Sequence, residues 1–255
     1  MRLATFNVLH GRAPSDDRVD LDRFAAAVRD LRADVLALQE VDRGQPRSNG
    51  ADLTEIAANA AGAVASRFAP AMTGRPGEWR AARDDDDGQE PQYGVALLSR
   101  YPVESWRILR LPVLPGRVPV LFGGRRRLVR VRDEPRVALL AVLHGPYGPM
   151  TVAATHLSFV PGWNVVQLRA LLRAVGRTGR VLVMGDLNMS VATARRASSL
   201  TPLVTAPTYP APAPLRQLDH LLVRGAATVT ASAAACLPLS DHCALQADVG
   251  AWRLA

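Results

Sequence analysis

Asp186 and Asn188, in Gly185-Asp186-Leu187-Asn188, have the types and spacing for chemistry on an anionic, oxygen-rich group. They follow the apolar run Val181-Leu182-Val183-Met184, which reads as a strand buried on both faces. Gly185 lets the backbone turn sharply there. Alternate residues of an extended chain face the same way, so a carboxylate and an amide would share one spot. The carboxylate can orient a water or bind a hard cation, and the amide can donate to a phosphoryl oxygen. Taken alone, G-D-x-N fits an Asx-type turn equally well. Other polar residues adjoin apolar strands in the same manner: Asn7, Glu40, His156, Asp219, and Asp241 with His242. A carboxylate at the tip of an apolar strand, such as Glu40, is costly to bury unpaired, so it is either solvated at an edge or bound to a cation. Each residue has an innocent reading by itself, but their recurrence at strand after strand points to one site.

The elements that must position these residues are read from hydrophobic periodicity. Arg2 to Val8 alternates as a strand does, delivering Asn7 near its end. Asp34 to Gln39, Tyr93 to Ser99, Val103 to Leu111, Leu128 to Val131 and Val137 to Leu143 follow as strands. So do Met150 to Ala154, Leu218 to Val223, Ala226 to Leu237 and Cys243 to Val249. Helices are expected at 20–32, 52–63, 163–175 and 191–200. The first has the stripe Leu21, Phe24, Val28, Leu31 behind an acidic N-terminus, and the second ends near Gly62. Pro161 opens the third, with the stripe Val165, Leu168, Leu172, Val175. Residues 71–92, with Asp84 to Asp87, read as a solvated, mobile loop, because four adjacent carboxylates repel and match no calcium-loop spacing. Thr205 to Pro214 reads as a surface loop. No repeat or internal boundary is visible, so 1–255 is expected to form a single catalytic domain.

The composition suits a globular chain long enough to bury a core without disulfides or a structural metal. Hydrophobic residues make up 48% and charged residues 21%. Cys236 and Cys243 form no disulfide framework and no zinc pattern, which suits a reducing compartment. The net charge of +8 permits an anionic partner, although every basic residue is arginine and host composition explains the excess equally well. Gly123-Gly124-Arg125-Arg126-Arg127 with Arg130 and Arg132 could present a basic stripe; an exposed strand face needs charge in any case. There is no leader-like segment, no apolar run of membrane-spanning length, and no sign of an obligate protein partner, so a cytoplasmic location is expected.

Taken together, Thr5-Phe6-Asn7, Leu38-Gln39-Glu40-Val41-Asp42, Leu97-Leu98-Ser99-Arg100, Thr155-His156-Leu157, Gly185-Asp186-Leu187-Asn188, Leu218-Asp219-His220 and Ser240-Asp241-His242 resemble the endonuclease/exonuclease/phosphatase superfamily. They occur in that family's order from first strand to last. His220 stands where many relatives carry an aromatic. The resemblance implies a DNase I-like α/β fold, a four-layer α/β/β/α sandwich of two mixed sheets flanked by helices. It implies hydrolysis of a phosphate ester by activated water, with Glu40 the principal ligand of Mg²⁺ (or Mn²⁺) and Asp241 helping to hold the metal. His242 would be general base with Asp219 behind it, and Asp186 would orient the nucleophile. Asn188 would donate to the phosphoryl group, His156 would add a hydrogen bond or positive charge, and Asn7 would position Glu40 or the phosphate. Arg47, Arg130 and Arg132 are candidate substrate contacts. A nuclease-type phosphodiesterase acting on nucleic acid leads. A small-molecule or lipid phosphodiesterase or phosphatase is the alternative, and a catalytically silent binding protein on the same fold is a remote third reading.

Overall fold

Alternation along the first strand decides which layer each side chain enters. The computed structural model describes residues 1–122, 127–177 and 179–253, without the side chains of 120–122, 127–129 and 131. In β1 (Arg2–Asn7), Leu3 enters a core between two sheets, whereas Ala4 and Phe6 enter a second core beneath helices. The next strands are β2 (Val35–Arg43), β3 (Ala65–Thr73), β4 (Gln92–Ser99) and β5 (Val103–Arg110). A ribbon follows, β6 (Arg117–Phe122) with β7 (Arg127–Arg132). Then come β8 (Val137–Gly145), β9 (Gly148–His156), β10 (Arg180–Asp186), β11 (Asp219–Val223), β12 (Ala226–Ala235) and β13 (Ala244–Arg253).

One sheet has the order β12–β13–β1–β2–β4–β3, extended at its edge by Arg80–Ala81. The other runs β11–β10–β9–β8–β5, extended beside β11 by Thr201–Pro202. Each contains one parallel pair, β1 with β2 and β9 with β10; the other pairings are antiparallel. The sheets face each other across Leu3, Leu97, Leu139, Val152, Leu182 and Leu245. Helices α1 (Leu21–Leu31) and α2 (Leu53–Ala61) cover the first sheet through Phe24, Val28, Leu31 and Leu53. Helices α3 (Trp163–Val175) and α4 (Val191–Ser198) cover the second through Leu168, Leu171 and Ala194. This is the four-layer arrangement expected, and burial of both faces of the central strands explains their unbroken apolar runs.

The helix signals correspond to real caps. The Asp20 carboxylate accepts from Arg23 N, Asp52 caps Thr54 N and Glu55 N, and Gly62 closes α2 at φ 62°. In α3 the fully buried positions are Asn164, Gln167, Leu168 and Leu171, while Val165, Leu172 and Val175 flank that core.

Several expectations change. Strand β3 was hidden because Ser66, Arg67 and Pro70 interrupt its apolar pattern. Residues 71–92 are also less featureless than their composition suggests. Asp86 accepts from Thr73 Oγ1 and Arg83 N and pairs with Arg80 at 2.7 Å, tying the loop to the end of β3. Cys236 and Cys243 are bonded to each other, so they do not argue for a reducing compartment. Neighbouring strands β12 and β13 bring their Cα atoms to 4.1 Å, which seven residues of sequence separation concealed. Residues 123–126, with Arg125 and Arg126, lie outside the described residues. Among the described residues, no helix is long and apolar enough to cross a membrane.

Candidate active site

The carboxyl ends of the two parallel pairs meet at one rim. In the first sheet Asn7 lies opposite Gln39, and Glu40 comes next. The pairing of β2 with β4 slips between Gln39 and Val41, which makes Glu40 the extra residue of a bulge, at φ 58°. A bulge re-aims the side chain it carries, and a left-handed conformation at a glutamate is strain of the kind functional sites retain. In the second sheet His156, Asp186 and Asp219 are in register across three adjacent strands. Gly185, at φ 146°, brings β10 so close to β9 that a Cβ there would stand 1.8 Å from the Thr155 carbonyl oxygen, so no other residue fits.

Asp186 is the hub of the convergence. Its Oδ1 accepts from Asn188 N at 2.9 Å, and its Oδ2 accepts from Asn7 Nδ2 at 3.2 Å. The same Oδ2 lies 3.5 Å from His156 Nε2 and 3.8 Å from His242 Nε2. Asn7 Nδ2 also donates to Glu40 Oε1 at 3.1 Å, linking the two sheets through one amide. Asn188 is held at φ 50°; its Nδ2 contacts His156 Nε2 at 3.2 Å and Leu157 O at 3.1 Å. His242 Nδ1 pairs with Asp219 Oδ2 at 2.9 Å. Ser240 locks this loop to β1, donating to Asn7 O at 2.6 Å and accepting from His242 N at 3.1 Å. The ring of Tyr209 lies 4.9 Å from that of His242.

Burial sets the electrostatics. It raises the Asp186 carboxyl, reinforced by Asp219 and opposed by His242. It also raises Glu40, where the Asn7 hydrogen bond and Arg136 work against it and Asp241 works with it. Burial pulls the His242 ring down, but the charge and hydrogen bond of Asp219, then Asp186 and Asp241, outweigh that and lift it to about 10. His156 goes the other way: burial first, then Arg136 and His242, keep it neutral.

These residues, except Asp219, line a single cleft of about 880 Å³, with Asp219 fully buried behind His242. Glu40, Asp186 and Asp241 therefore present carboxylate oxygens to one space, two of them raised by burial and neighbouring negative charge. That donor set fits a hard divalent cation. The tightest grouping of possible ligand atoms is different, namely Asp186, Asp219 and His242 within 4.8 Å of one another. We favour Glu40 and Asp241 as the cation's seat, because Asp219 and His242 already satisfy each other by hydrogen bond and Asp186 already accepts from Asn7 and Asn188.

Of the three candidate arginines, only Arg47 reaches the cleft. Its guanidinium is bidentate to Asp42 at 2.7 and 2.8 Å and lies over the rings of Trp79 and Tyr93. Arg130 and Arg132 are exposed on the β6–β7 ribbon and do not line the cleft. His220 is buried and contacts Met189 O at 2.9 Å, filling the strand position as a polar anchor. His10, Trp79, Glu134, Arg136 and Tyr209 also line the cleft, and no sequence pattern marks them. Most sit in loops without periodicity; the Leu9-His10-Gly11 turn is betrayed only by its glycine.

The sequence pattern of the Endonuclease/Exonuclease/phosphatase family matches residues 4–242. No match is found among curated protein sequences. Among solved structures, an endonuclease/exonuclease/phosphatase from Beutenbergia cavernae is 24% identical with a TM-score of 0.71, covering 98% of this chain and 71% of that one. A mannosyl-6-phosphatase from Bacteroides thetaiotaomicron is 14% identical with a TM-score of 0.61, covering 98% and 99%. Sphingomyelinase C from Streptomyces griseocarneus is 17% identical with a TM-score of 0.61, covering 97% and 98%. At these identities the likeness is one of fold.

Proposed function

This chain belongs to the endonuclease/exonuclease/phosphatase family, enzymes that hydrolyse phosphoric esters with a divalent metal, and from that premise we propose that it acts on a compact phosphate ester bound in the cleft. The observation that carries the reading is the surround of Asp186 Oδ2: Asn7 at 3.2 Å, His156 at 3.5 Å and His242 at 3.8 Å. Buried polar groups converging on one carboxylate oxygen suit proton transfer.

In this proposal Glu40 and Asp241 hold Mg²⁺ or Mn²⁺, with Asn7 fixing Glu40. Bound there, the cation would neutralise charge on the phosphoryl and leaving oxygens. The roles of Asp186 and His242 are exchanged relative to the sequence expectation. His242 is flanked by carboxylates at both ring nitrogens, 2.9 Å from Asp219 and 3.8 Å from Asp186, which favours an imidazolium with two N–H donors and no free lone pair. Asp186 then accepts the proton of the attacking water as the new P–O bond forms and the ester P–O bond breaks. His242 donates to the phosphoryl oxygens, joined by Asn188 once its Nδ2 gives up the contact to His156; neutral His156 orients the water, and the departing alcohol takes its proton from solvent.

A compact ester is supported by the cleft's size, within the roughly 300–1,000 Å³ usual for small-molecule sites, and by its walls of Trp79, Tyr93, Phe159 and Tyr209. The nuclease reading is second. Its support is the net charge of +8 with Arg117, Arg130 and Arg132 exposed on the ribbon.

A substrate panel tests both: p-nitrophenyl phosphate, bis-p-nitrophenyl phosphate, sugar and inositol phosphates, DNA and RNA, with Mg²⁺ or Mn²⁺. Small esters should give the higher kcat/KM, EDTA should abolish turnover, and Asp186→Asn should lose on the order of two to four decades in rate. Hydrolysis confined to nucleic acid would replace the first reading by the second. Turnover that survives the chelator would remove the metal from the mechanism.

A further inference from the structure

Arg136 is a buried cation in the wall of the cleft that the roles above leave unused. Its side chain is only 5% exposed, and it lies just ahead of β8, at the rim where the two sheets meet. Among the described residues its one ion-pair partner is Glu134, at 3.1 Å from Nη2, and that carboxylate is 43% exposed. The guanidinium Nε is buried and has no hydrogen-bond partner among the described residues. A guanidinium carries five N–H donors, and leaving them unsatisfied in a protein interior is costly unless an anion completes the site. The charge of Arg136 is felt by both Glu40 and His156, which line the same cleft.

We propose that Arg136 is a substrate-binding residue whose guanidinium grips a non-bridging oxygen of the phosphoryl group, with Glu134 occupying Nη2 until the anion displaces it. This rests on the phosphoesterase reading and adds to it a fixed protein cation that complements the metal. Asp133, buried beside it, strengthens the case. Neither of its carboxylate oxygens meets a hydrogen-bond partner by distance and angle among the described residues, so Asp133 supplies charge near Arg136 but takes up none of its N–H donors, and Nε stays open to an anion. A planar fork of donors suits phosphate better than a lysine would.

Inorganic phosphate is the probe, titrated by calorimetry with Mg²⁺ present, so that binding is read without turnover. Arg136→Gln should weaken phosphate binding on the order of tenfold to a hundredfold, as loss of a charge-assisted hydrogen bond does, and Arg136→Lys should recover part of it. Mg²⁺ affinity, measured in parallel, should change less than about twofold, a margin well inside the same per-bond scale. Glu134→Gln, which removes only the competing carboxylate, should tighten phosphate binding and serves if the Arg136 variants fail to fold. The proposal is overturned if wild-type protein shows no phosphate affinity, if Arg136→Gln binds phosphate as wild type does, if Mg²⁺ affinity falls in step, or if Glu134→Gln binds no tighter. Phosphate binding that depends on Arg136 in a protein that hydrolyses no ester would instead defeat the phosphoesterase reading and leave this assignment standing.

Discussion

Asp219 reaches no part of the cleft, yet the behaviour of His242 depends on it. Its Oδ2 sits 2.9 Å from His242 Nδ1, while its other oxygen is buried without a hydrogen-bond partner among the described residues. The residue therefore works chiefly by charge, holding the imidazolium and its ring orientation. Asp219→Asn keeps an acceptor for Nδ1–H but removes the charge, and Asp219→Ala removes both. We expect kcat to fall about tenfold to a hundredfold for the first and further for the second, within the range that general acid–base partners supply. An Asp219→Asn protein that kept wild-type kcat would show that charge is irrelevant. At this scale the sequence was informative where a polar residue interrupts an apolar run: Asn7, Glu40, His156, Asp186, Asn188, Asp241 and His242 all face the cleft. It was silent on Arg136, because a buried arginine after Asp133-Glu134-Pro135 has the composition of any exposed loop.

The elements deliver these residues through irregularities more than through regular strands. The bulge at Glu40, the close approach at Gly185 and the clamped turn before β13 each re-aim a side chain that an ideal strand would point elsewhere. The central strands and the helices were legible because the middle of each sheet is covered on both faces and shows as an apolar run or stripe; β3, interrupted by Ser66, Arg67 and Pro70, was not. A bulge or a disulfide has no such signature. The Cys236–Cys243 bond closes the turn that carries Ser240, Asp241 and His242, and loops of that size are stabilised by roughly 2–3 kcal/mol in the chain-entropy model. Replacing both cysteines by serine should lower Tm by several degrees and reduce kcat several-fold, because His242 would lose part of its fixed aim. Matching melting curves for the oxidised and dithiothreitol-reduced protein would show that the strand pairing alone holds the turn.

Across the whole molecule, composition makes one titration unusually easy to isolate. All basic side chains are arginine, which keeps its charge throughout, and the two cysteines are bonded and do not titrate. His10, His156 and His220 are lowered, burial being the largest cause for each, so above pH 7 they are neutral in the folded and unfolded states alike. His242 differs, with a folded value of about 10 against an unfolded value near 6.5. A histidine raised on folding contributes stability that is fully present below its unfolded value and is lost as pH rises through the folded one. The carboxyls raised by burial, Glu40, Asp42 and Asp186, act in the same direction at the lower end of the scale. Metal-free protein should therefore melt at progressively lower temperature between pH 7 and pH 10. The loss is on the order of a few kcal/mol, and in a chain of this length each kcal/mol moves Tm by roughly 2–4 °C. His242→Gln should melt nearly independently of pH from 7 to about 9, since no charge is then held against Asp219 and Asp186; nearer pH 10, Tyr93 and Tyr101, both raised by burial, add a loss common to both proteins. If wild type and His242→Gln show the same slope, the ring is not an imidazolium in the folded protein, and the assignment of Asp186 as the proton acceptor goes with it.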